Sequence, residues 1–353
     1  MKPLGVLLSL IVTAVGVLWW TTPASYPFGA RDRVTVSISH LFEHDLGGAL
    51  MVVAGLAGLA VALLAHRPDP LVRAGALAQV LFFGGVMSDA GIMSAVGYLG
   101  ALSLPVAVAT VVVLACVRRR PWGYVALAGL VALGVVTALF SGDAVWTFAG
   151  NIAASLGSYA GRLAWTLANA AAFAAWVWIT FRLYSGRAPR WARPERAARW
   201  GRIVTVGAAL CPLPYALYRL TWLTPWPTDA DLVHTLDLPL RLQGSLLGLA
   251  ALSGCVLTLG LISSWGEVFP RWMPMAHGRP VPVLLPVVAG GAVAGACCLS
   301  VPGLVVNAVE RGMPSTLLLW PYPLWAPLLG AAVLAYWLRR REAGGYALAS
   351  TGG

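Results

Sequence analysis

The sequence predicts an all-α membrane helix bundle, on three observations. Hydrophobic residues make up 59% of the 353 residues and charged residues only 10%, against about 25% charged in an ordinary soluble domain. The apolar residues fall in long stretches, and the mean hydropathy of the whole chain is +0.78. Of the 24 cationic residues, 23 are arginines, and most lie in short clusters after every second apolar stretch. A chain that crosses a bilayer repeatedly, with its basic loops in the cytoplasm, has this pattern.

The number of spans follows from the length of the apolar stretches. About 20 apolar residues cross the roughly 30 Å of hydrocarbon in a bilayer. This length predicts about 10 transmembrane helices in a single transmembrane domain, residues 1–338, followed by a short basic cytoplasmic tail, residues 339–353. The spans are predicted near 4–21, 46–65, 73–90, 95–117, 122–140, 163–182, 203–222, 243–264, 281–304 and 317–338.

The first and the third spans need separate arguments. The first follows Lys2 and ends at Trp19-Trp20, an interfacial aromatic pair, which favours an uncleaved helix over a signal peptide. The 44 residues between Arg73 and Arg118 would form a single helix of about 66 Å, too long for a bilayer. They are therefore assigned two helices, with a tight turn near Asp89.

Prolines interrupt several of the later spans. Broken helices at membrane depth expose backbone groups that can bind ions or substrates, although many membrane helices merely kink at proline. The prolines concerned are Pro105, Pro212, Pro214, Pro302 and Pro327.

The arginine clusters also predict which side each loop faces. With the N-terminus inside, the cytoplasmic segments hold 18 of the 24 cations and 4 of the 13 acids. Both termini are therefore predicted to lie in the cytoplasm, and the chain in a bacterial plasma membrane. The net charge of +11 is explained by this asymmetry, without nucleic acid as a partner. The inner loop Arg182–Arg202 is expected to contact anionic lipid headgroups.

His40-Leu41-Phe42-Glu43-His44 is the first candidate site. On a helix, His40 and His44 would share one face with Glu43 beside them, the order found in inverted zinc peptidases. Two imidazoles can bind zinc while the carboxylate activates a water, so an extracytoplasmic metal site at His40, Glu43 and His44 is one hypothesis. The sequence offers no recognisable third ligand, and Glu43 and Asp45 would equally suit the start of the next helix. No other cofactor is expected.

Arg219 is the second candidate, because it lies near the outer end of the seventh span, where cations are scarce. A cation inside the membrane costs about 2.5 kcal/mol or more at a helix centre and should face water or an acid. The candidate partners on that side are Asp89, Asp143, Asp229, Asp231, Asp237 and Glu310. Arg219, Asp89 and Asp237 would line a substrate or ion pathway. The alternative is that Arg219 extends to the lipid headgroups.

The third candidate is the cytoplasmic loop Trp265-Gly-Glu267-Val-Phe-Pro-Arg271-Trp272. Trp265 and Trp272 would anchor the loop at the headgroups, and Glu267 would pair with Arg271 if the turn is helical. A rigid connection is favoured over a gating or coupling role for Glu267. The loop resembles that of an uncharacterised actinobacterial family of polytopic integral membrane proteins, which share Trp-Gly-Glu-Val-x-Pro-Arg-Trp and have no assigned activity. The resemblance covers roughly the C-terminal half and implies membrane class and source.

The sequence favours a non-enzymatic transport or accessory membrane protein. It has no phosphate-binding loop, nucleophile elbow or haem-attachment motif. Two alternatives stay open. One is a membrane-embedded enzyme that uses the metal site, and the other is a structural or interaction subunit of a membrane complex with unknown protein partners.

Overall fold

A computed structural model describes residues 2–28, 36–66, 69–184, 190–236, 238–270 and 278–349, and over these residues the chain is helical without a β-strand. The predicted all-α class is therefore confirmed for this part of the chain. Its helices are α1 (Lys2–Thr21), α2 (His44–Leu64), α3 (Pro70–Leu81), α4 (Gly91–Val117), α5 (Pro121–Tyr184), α6 (Pro194–Leu210), α7 (Leu213–Leu220), α8 (Ala230–Thr235), α9 (Leu238–Gly260), α10 (Leu284–Glu310), α11 (Thr316–Leu319) and α12 (Tyr322–Ala349).

Within the described residues, 6 helical segments are long and apolar enough to cross a membrane. They are Lys2–Thr21, His44–Leu64, Ala160–Tyr184, Pro194–Leu223, Leu284–Glu310 and Thr316–Arg340. Shorter apolar helices occur at Pro70–Val86, Val108–Val117, Pro121–Ala132 and Gly244–Gly260. Taken in chain order, these segments overlap the spans that hydropathy predicts.

The chain divides into two compact units, where the sequence predicts one domain. The larger comprises Met1–Ala90 and Ala170–Gly353, and the smaller comprises Gly91–Asn169. In the larger unit α1 packs along α2, and Gly16 and Gly48 face each other at the contact. A Cβ on either glycine would lie 2.8 Å from the carbonyl oxygen of the other. Small residues thus let these two backbones approach closely, as in membrane helix pairs.

Helix α3 ends in a π-helical turn, Phe82–Val86. The turn contains Gly84-Gly85, and α4 begins at Gly91. The break between the two helices therefore falls where the sequence predicts a turn near Asp89. Hydropathy alone does not reveal the π-helical turn, which shortens the regular part of the third span.

Helix α5 is a single helix where the sequence predicts two spans, 122–140 and 163–182. No proline follows Pro121 within its 64 residues, so no residue in it removes a backbone amide donor. Its 64 residues are about three times the roughly 20 that cross the hydrocarbon of a bilayer. In the smaller unit the turn between α4 and α5 contains Arg119 at a φ of 53°.

Contacts in the larger unit join one set of helix ends, all of them predicted to lie outside. Tyr26, after α1, packs on Gly47 at the start of α2. Ser37 forms an antiparallel bridge with Asp89, which follows α3. A Cβ on Gly303 in α10 would overlap the backbone at Val36.

A second group of contacts joins the opposite ends, all of them predicted to be cytoplasmic. A Cβ on Gly5 in α1 would lie 2.8 Å from the Cβ of Ala62 in α2 and 3.5 Å from Ile179 Cδ1 in α5. Near the end of α5, the ring of Phe181 lies 5.7 Å from that of Trp337 in α12. Each contact therefore joins ends that the arginine pattern assigns to the same side.

Candidate functional site

A break between α6 and α7 positions Arg219. Pro212 and Pro214 have no N–H group, so the carbonyls of Ala208 and Leu210 lose their i+4 amide donors. The helix stops at Leu210 and restarts at Leu213, within one apolar segment that is long enough to cross a membrane.

After the break, α7 and the following 3-10 turn, Thr221–Leu223, bring two aromatic rings to Arg219. Residues 215 and 219 lie one turn apart on one face of α7, and Arg219 Nε donates to the Tyr215 hydroxyl at 3.1 Å. The guanidinium carbon lies 4.1 Å from the ring centroid of Trp222 and 5.3 Å from that of Tyr215. These are cation–π contacts with a half-buried arginine.

Helix α9 packs on this group through glycine. A Cβ on Gly244 would overlap the ring of Trp222 and lie 3.1 Å from Arg219 Nη1. One turn earlier, Arg241 donates from Nε and Nη2 to the carbonyl oxygen of Trp222 at 3.0 and 2.8 Å. We call Tyr215, Arg219, Trp222 and Arg241 the Trp222 cluster.

Of the acids expected beside Arg219, Asp229 accepts a hydrogen bond from the neighbouring Tyr218 hydroxyl at 3.2 Å. Asp89 is 1% exposed and bridges to Ser37 at the other outer contact, and Asp237 lies outside the described residues. No acid among the described residues forms an ion pair with Arg219 or Arg241. The rings and a carbonyl therefore hold these two cations.

Sequence reasoning missed Arg241. A signal for it existed, because Arg241 is one of the few cations that the arginine pattern leaves on the outer side. It follows the loop that begins directly after Trp222. A contact across 19 residues of sequence cannot be read from helical spacing, however, so the pairing needs the fold.

Glu267, from the predicted cytoplasmic loop, contacts the last helix. Its Oε1 lies 3.4 Å from Arg339 Nη1 and its Oε2 lies 3.8 Å from Arg340 Nη1. Arg339 also donates to the carbonyl of Leu261. Together with Tyr336, whose hydroxyl donates to the Gly266 carbonyl at 3.0 Å, these residues form what we call the Glu267 cluster (Glu267, Tyr336, Arg339 and Arg340).

The loop that carries Glu267 is held by its own backbone. The Phe269 amide donates to the Arg279 carbonyl at 3.0 Å, and the Gly278 amide donates to the Phe269 carbonyl at 3.1 Å. Gly278 has a φ of 71°, a left-handed conformation that glycine adopts without strain. Trp265 packs on Gly260 at the end of α9. These bonds join the two described sides of the loop, before and after residues 271–277.

Part of the third candidate site, including Arg271 and Trp272, lies outside the described residues. The predicted local pair between Glu267 and Arg271 thus stays a prediction. The partners that the described residues give Glu267 are instead 72 and 73 positions away on α12. Arg339 and Arg340 belong to that helix, which runs on to Ala349.

His40 and His44 do not share a helix face. His40 belongs to the 3-10 turn Ile38–Leu41, residues 42 and 43 are extended, and His44 begins α2. His40 Nε2 lies 3.4 Å from Glu310 Oε1, and His44 Nδ1 lies 3.2 Å from Asp45 Oδ1. Among the described residues, no three His, Cys, Asp or Glu side chains lie close enough to hold a metal ion.

Tertiary contacts hold the His40 segment out of a helix. Ser37 and Ser39 are fully buried, and the His40 ring contacts the Ser37 carbonyl. The Tyr26 hydroxyl donates to the carbonyl of Ser39 at 2.9 Å. Burial raises the pKa of Tyr26, so this hydroxyl stays protonated and remains a donor.

The described part of the Arg182–Arg202 loop joins the ends of α5 and α6. Arg182 lies 5.8 Å from the ring of Trp178, and the Trp200 indole donates to the Trp191 carbonyl at 3.1 Å. The paired tryptophans lie beside the arginines, as interfacial anchors do.

No protein-family model, no curated protein and no solved structure matches the chain.

Proposed function

We propose that the chain is an integral protein of a bacterial plasma membrane, crossing it about 10 times with both termini in the cytoplasm, and that its role is non-enzymatic transport or an accessory role in a membrane. One observation carries the functional part. A broken apolar helix, α6–α7, places the half-buried Arg219 beside a packed aromatic group. Breaks of this kind and intramembrane cations both occur at binding sites of membrane transporters.

The two groups of end contacts support the topology. Each contact in these two groups joins chain segments that the arginine pattern assigns to one side, for example Glu267 with Arg339 and Ser37 with Asp89. A single span missing in the middle of this unit would pair opposite sides. The basic loop Arg182–Arg202 would then face the inner leaflet and bind anionic headgroups.

Reporter fusions test the topology. Alkaline phosphatase is active only outside the cytoplasm, and green fluorescent protein, exported in an unfolded form, fluoresces only inside. We expect fluorescence from fusions after Gly278 and phosphatase activity from fusions after Thr224. The reverse result at both sites would overturn the orientation.

A fusion after Asn151 tests α5 itself. Ten crossings require the chain to turn within α5 and return, which places residue 151 outside. Phosphatase activity at this fusion is the expected result. Fluorescence there would mean that α5 is not divided into two crossings, and the count of ten would be wrong.

Cysteine labelling tests the proposed pathway. In a variant whose native cysteines are replaced, we compare Tyr218→Cys, one residue from Arg219, with Leu217→Cys. Leu217 is 61% exposed in the absence of lipid, and Tyr218 points to the polar contact with Asp229. A membrane-impermeant maleimide should label position 218 and not 217, because the thiolate reacts only in water. Equal labelling of both positions would contradict a water-accessible pathway at Arg219.

A further inference from the structure

We propose that the Trp222 cluster binds a phosphate group, held between Arg219 and Arg241. The proposal rests on the membrane placement proposed above and deepens it by naming the chemistry of the ligand. Several N–H groups of Arg219, Arg241 and Trp222 have no acceptor among the described residues.

Most of the polar side-chain atoms that meet at Trp222 are donors, and the acceptors among them are the hydroxyl oxygens of Tyr215 and Tyr218. A guanidinium group has five N–H donors and no acceptor, and an indole has one donor and no acceptor. The Trp222 indole nitrogen is buried, with the Tyr218 hydroxyl beside it but beyond ordinary hydrogen-bond geometry. This hydroxyl donates to Asp229 at 3.2 Å. A ligand that satisfies this group of donors must offer acceptors.

The two guanidinium groups come from α7 and α9 and both contact Trp222, Arg219 at its ring and Arg241 at its carbonyl oxygen. Arg219 Nη1 lies 3.1 Å from the position that a Cβ on Gly244 would take, and Arg241 precedes Gly244 by one turn of α9. Two half-buried cations that contact one tryptophan, both without an ion pair among the described residues, repel each other. An anion between them would remove that repulsion and compensate their loss of hydration.

Free donors remain for such an anion. Arg241 uses Nε and Nη2 for the Trp222 carbonyl and leaves Nη1. Arg219 uses Nε for Tyr215 and leaves both terminal nitrogens. Phosphate oxygens accept such paired N–H groups at short range, and arginine is the residue most suited to this geometry.

The aromatic surroundings suit a phosphate at the level of the lipid headgroups. Trp320, at the end of α11, lies 4.9 Å from Tyr215 between ring centroids, so aromatic rings continue from the cluster toward α12. Tryptophan and tyrosine concentrate at this depth. The phosphate could belong to a lipid headgroup or to a free anion, and the experiment separates these sources.

The test measures binding to the full-length protein in detergent. The wild-type protein is titrated with inorganic phosphate and, separately, with short-chain phosphatidylglycerol, and its melting temperature gives the dissociation constant. The site variants are Arg241→Gln and Trp222→Phe, which keeps the ring and removes the N–H group. Arg311→Gln, an exposed cation after α10, is the matched control.

We expect saturable binding that weakens about tenfold in Arg241→Gln, as loss of a charged hydrogen bond implies, and less in Trp222→Phe. Arg311→Gln should bind as the wild type does. Binding of the lipid alone would assign the phosphate to a headgroup, and binding of inorganic phosphate would assign it to a free anion. Binding of neither, or equal affinity in all variants, would overturn the proposal, while the fusion results would still decide the topology.

Discussion

Arginines at the two ends of the larger unit are held in different ways. At the predicted inner end, Arg339 and Arg340 meet the carboxylate of Glu267. At the predicted outer end, Arg219 and Arg241 meet aromatic rings and a backbone carbonyl. The inner cations thus share one carboxylate of the protein, whereas no described acid forms an ion pair with the outer two.

This difference separates a structural contact from a candidate binding site. A cation that forms an ion pair within the fold stabilises the loop that supplies the acid. A half-buried cation with N–H groups that have no acceptor is stabilised when an anion binds to it. If this difference holds, substitutions at the inner end should lower the unfolding free energy more than substitutions at the outer end.

Gly266→Ala is expected to lose the most unfolding free energy. A Cβ at Gly266 would overlap the backbone of Gly260, so the loop must shift. Overpacking of this kind costs up to about 3 kcal/mol of unfolding free energy. Gly244→Ala should cost less, because its Cβ would meet the ring of Trp222, a side chain that can rotate. Unfolding in mixed micelles titrated with sodium dodecyl sulfate measures both.

The control for this pair is Gly254→Ala in α9, where a Cβ would meet no atom within 4 Å. It should be neutral or should stabilise the helix by up to about 1 kcal/mol. If Gly266→Ala unfolds at the same midpoint as Gly254→Ala, the inner loop is not fixed and the comparison fails.

The next largest loss of unfolding free energy is expected for Arg339→Gln, and Arg219→Gln is the variant to compare with it. Arg339 loses an ion pair and a hydrogen bond to Leu261, and Glu267 keeps only its longer contact with Arg340. We expect a loss of about 2 kcal/mol in unfolding free energy. For Arg219→Gln, the lost cation–π contacts, about 1 kcal/mol, are offset by removal of a half-buried cation, so the change should be small.

The two variants are measured in the same unfolding assay as the glycine series. A loss in Arg219→Gln as large as that in Arg339→Gln would show that the outer arginine is a structural residue. The distinction between the two ends would then be lost.

Glu267→Gln is expected to lose less unfolding free energy than Arg339→Gln. The carboxylate is about one-third exposed, and its contacts with the two arginines are 3.4 and 3.8 Å long. A partly exposed pair of this kind contributes about 1 kcal/mol and is screened by salt. The wild type should therefore lose stability between low and high salt, and Glu267→Gln should not. Glu195→Gln, an exposed acid in the first turn of α6, should respond to salt as the wild type does.

The helices could be predicted from the sequence more fully than the clusters could. Apolar length alone places α1 and α2 within a few residues of the predicted spans 4–21 and 46–65. The same reasoning divides α5, because it looks for apolar stretches of one bilayer thickness and takes the more polar residues between them for a loop. Nothing in hydropathy marks the π-helical turn at Phe82–Val86, which is a local change of hydrogen-bond register.

The sites could be predicted only where the partners are close in sequence. Arg219 was identified because a cation in an apolar span is costly wherever it lies. Its ring partners Tyr215 and Trp222 lie within four residues, but Arg241 does not. For Glu267 the sequence suggests Arg271 at helical spacing, while the contact with Arg339 depends on how α12 packs beside the loop.

The smallest difference in unfolding free energy is expected between variants of His40 and His44. His40 is 11% exposed at its side chain and contacts the Ser37 carbonyl and Glu310, whereas His44 contacts the exposed Asp45. We expect His40→Ala to lose about 1 kcal/mol of unfolding free energy and His44→Ala to lose almost none. Added zinc should stabilise neither the wild type nor these variants, because the extended residues 42 and 43 break the helical spacing. Saturable zinc stabilisation of the wild type, lost in both variants, would restore the metal hypothesis and make this outer segment a second site beside the Trp222 cluster.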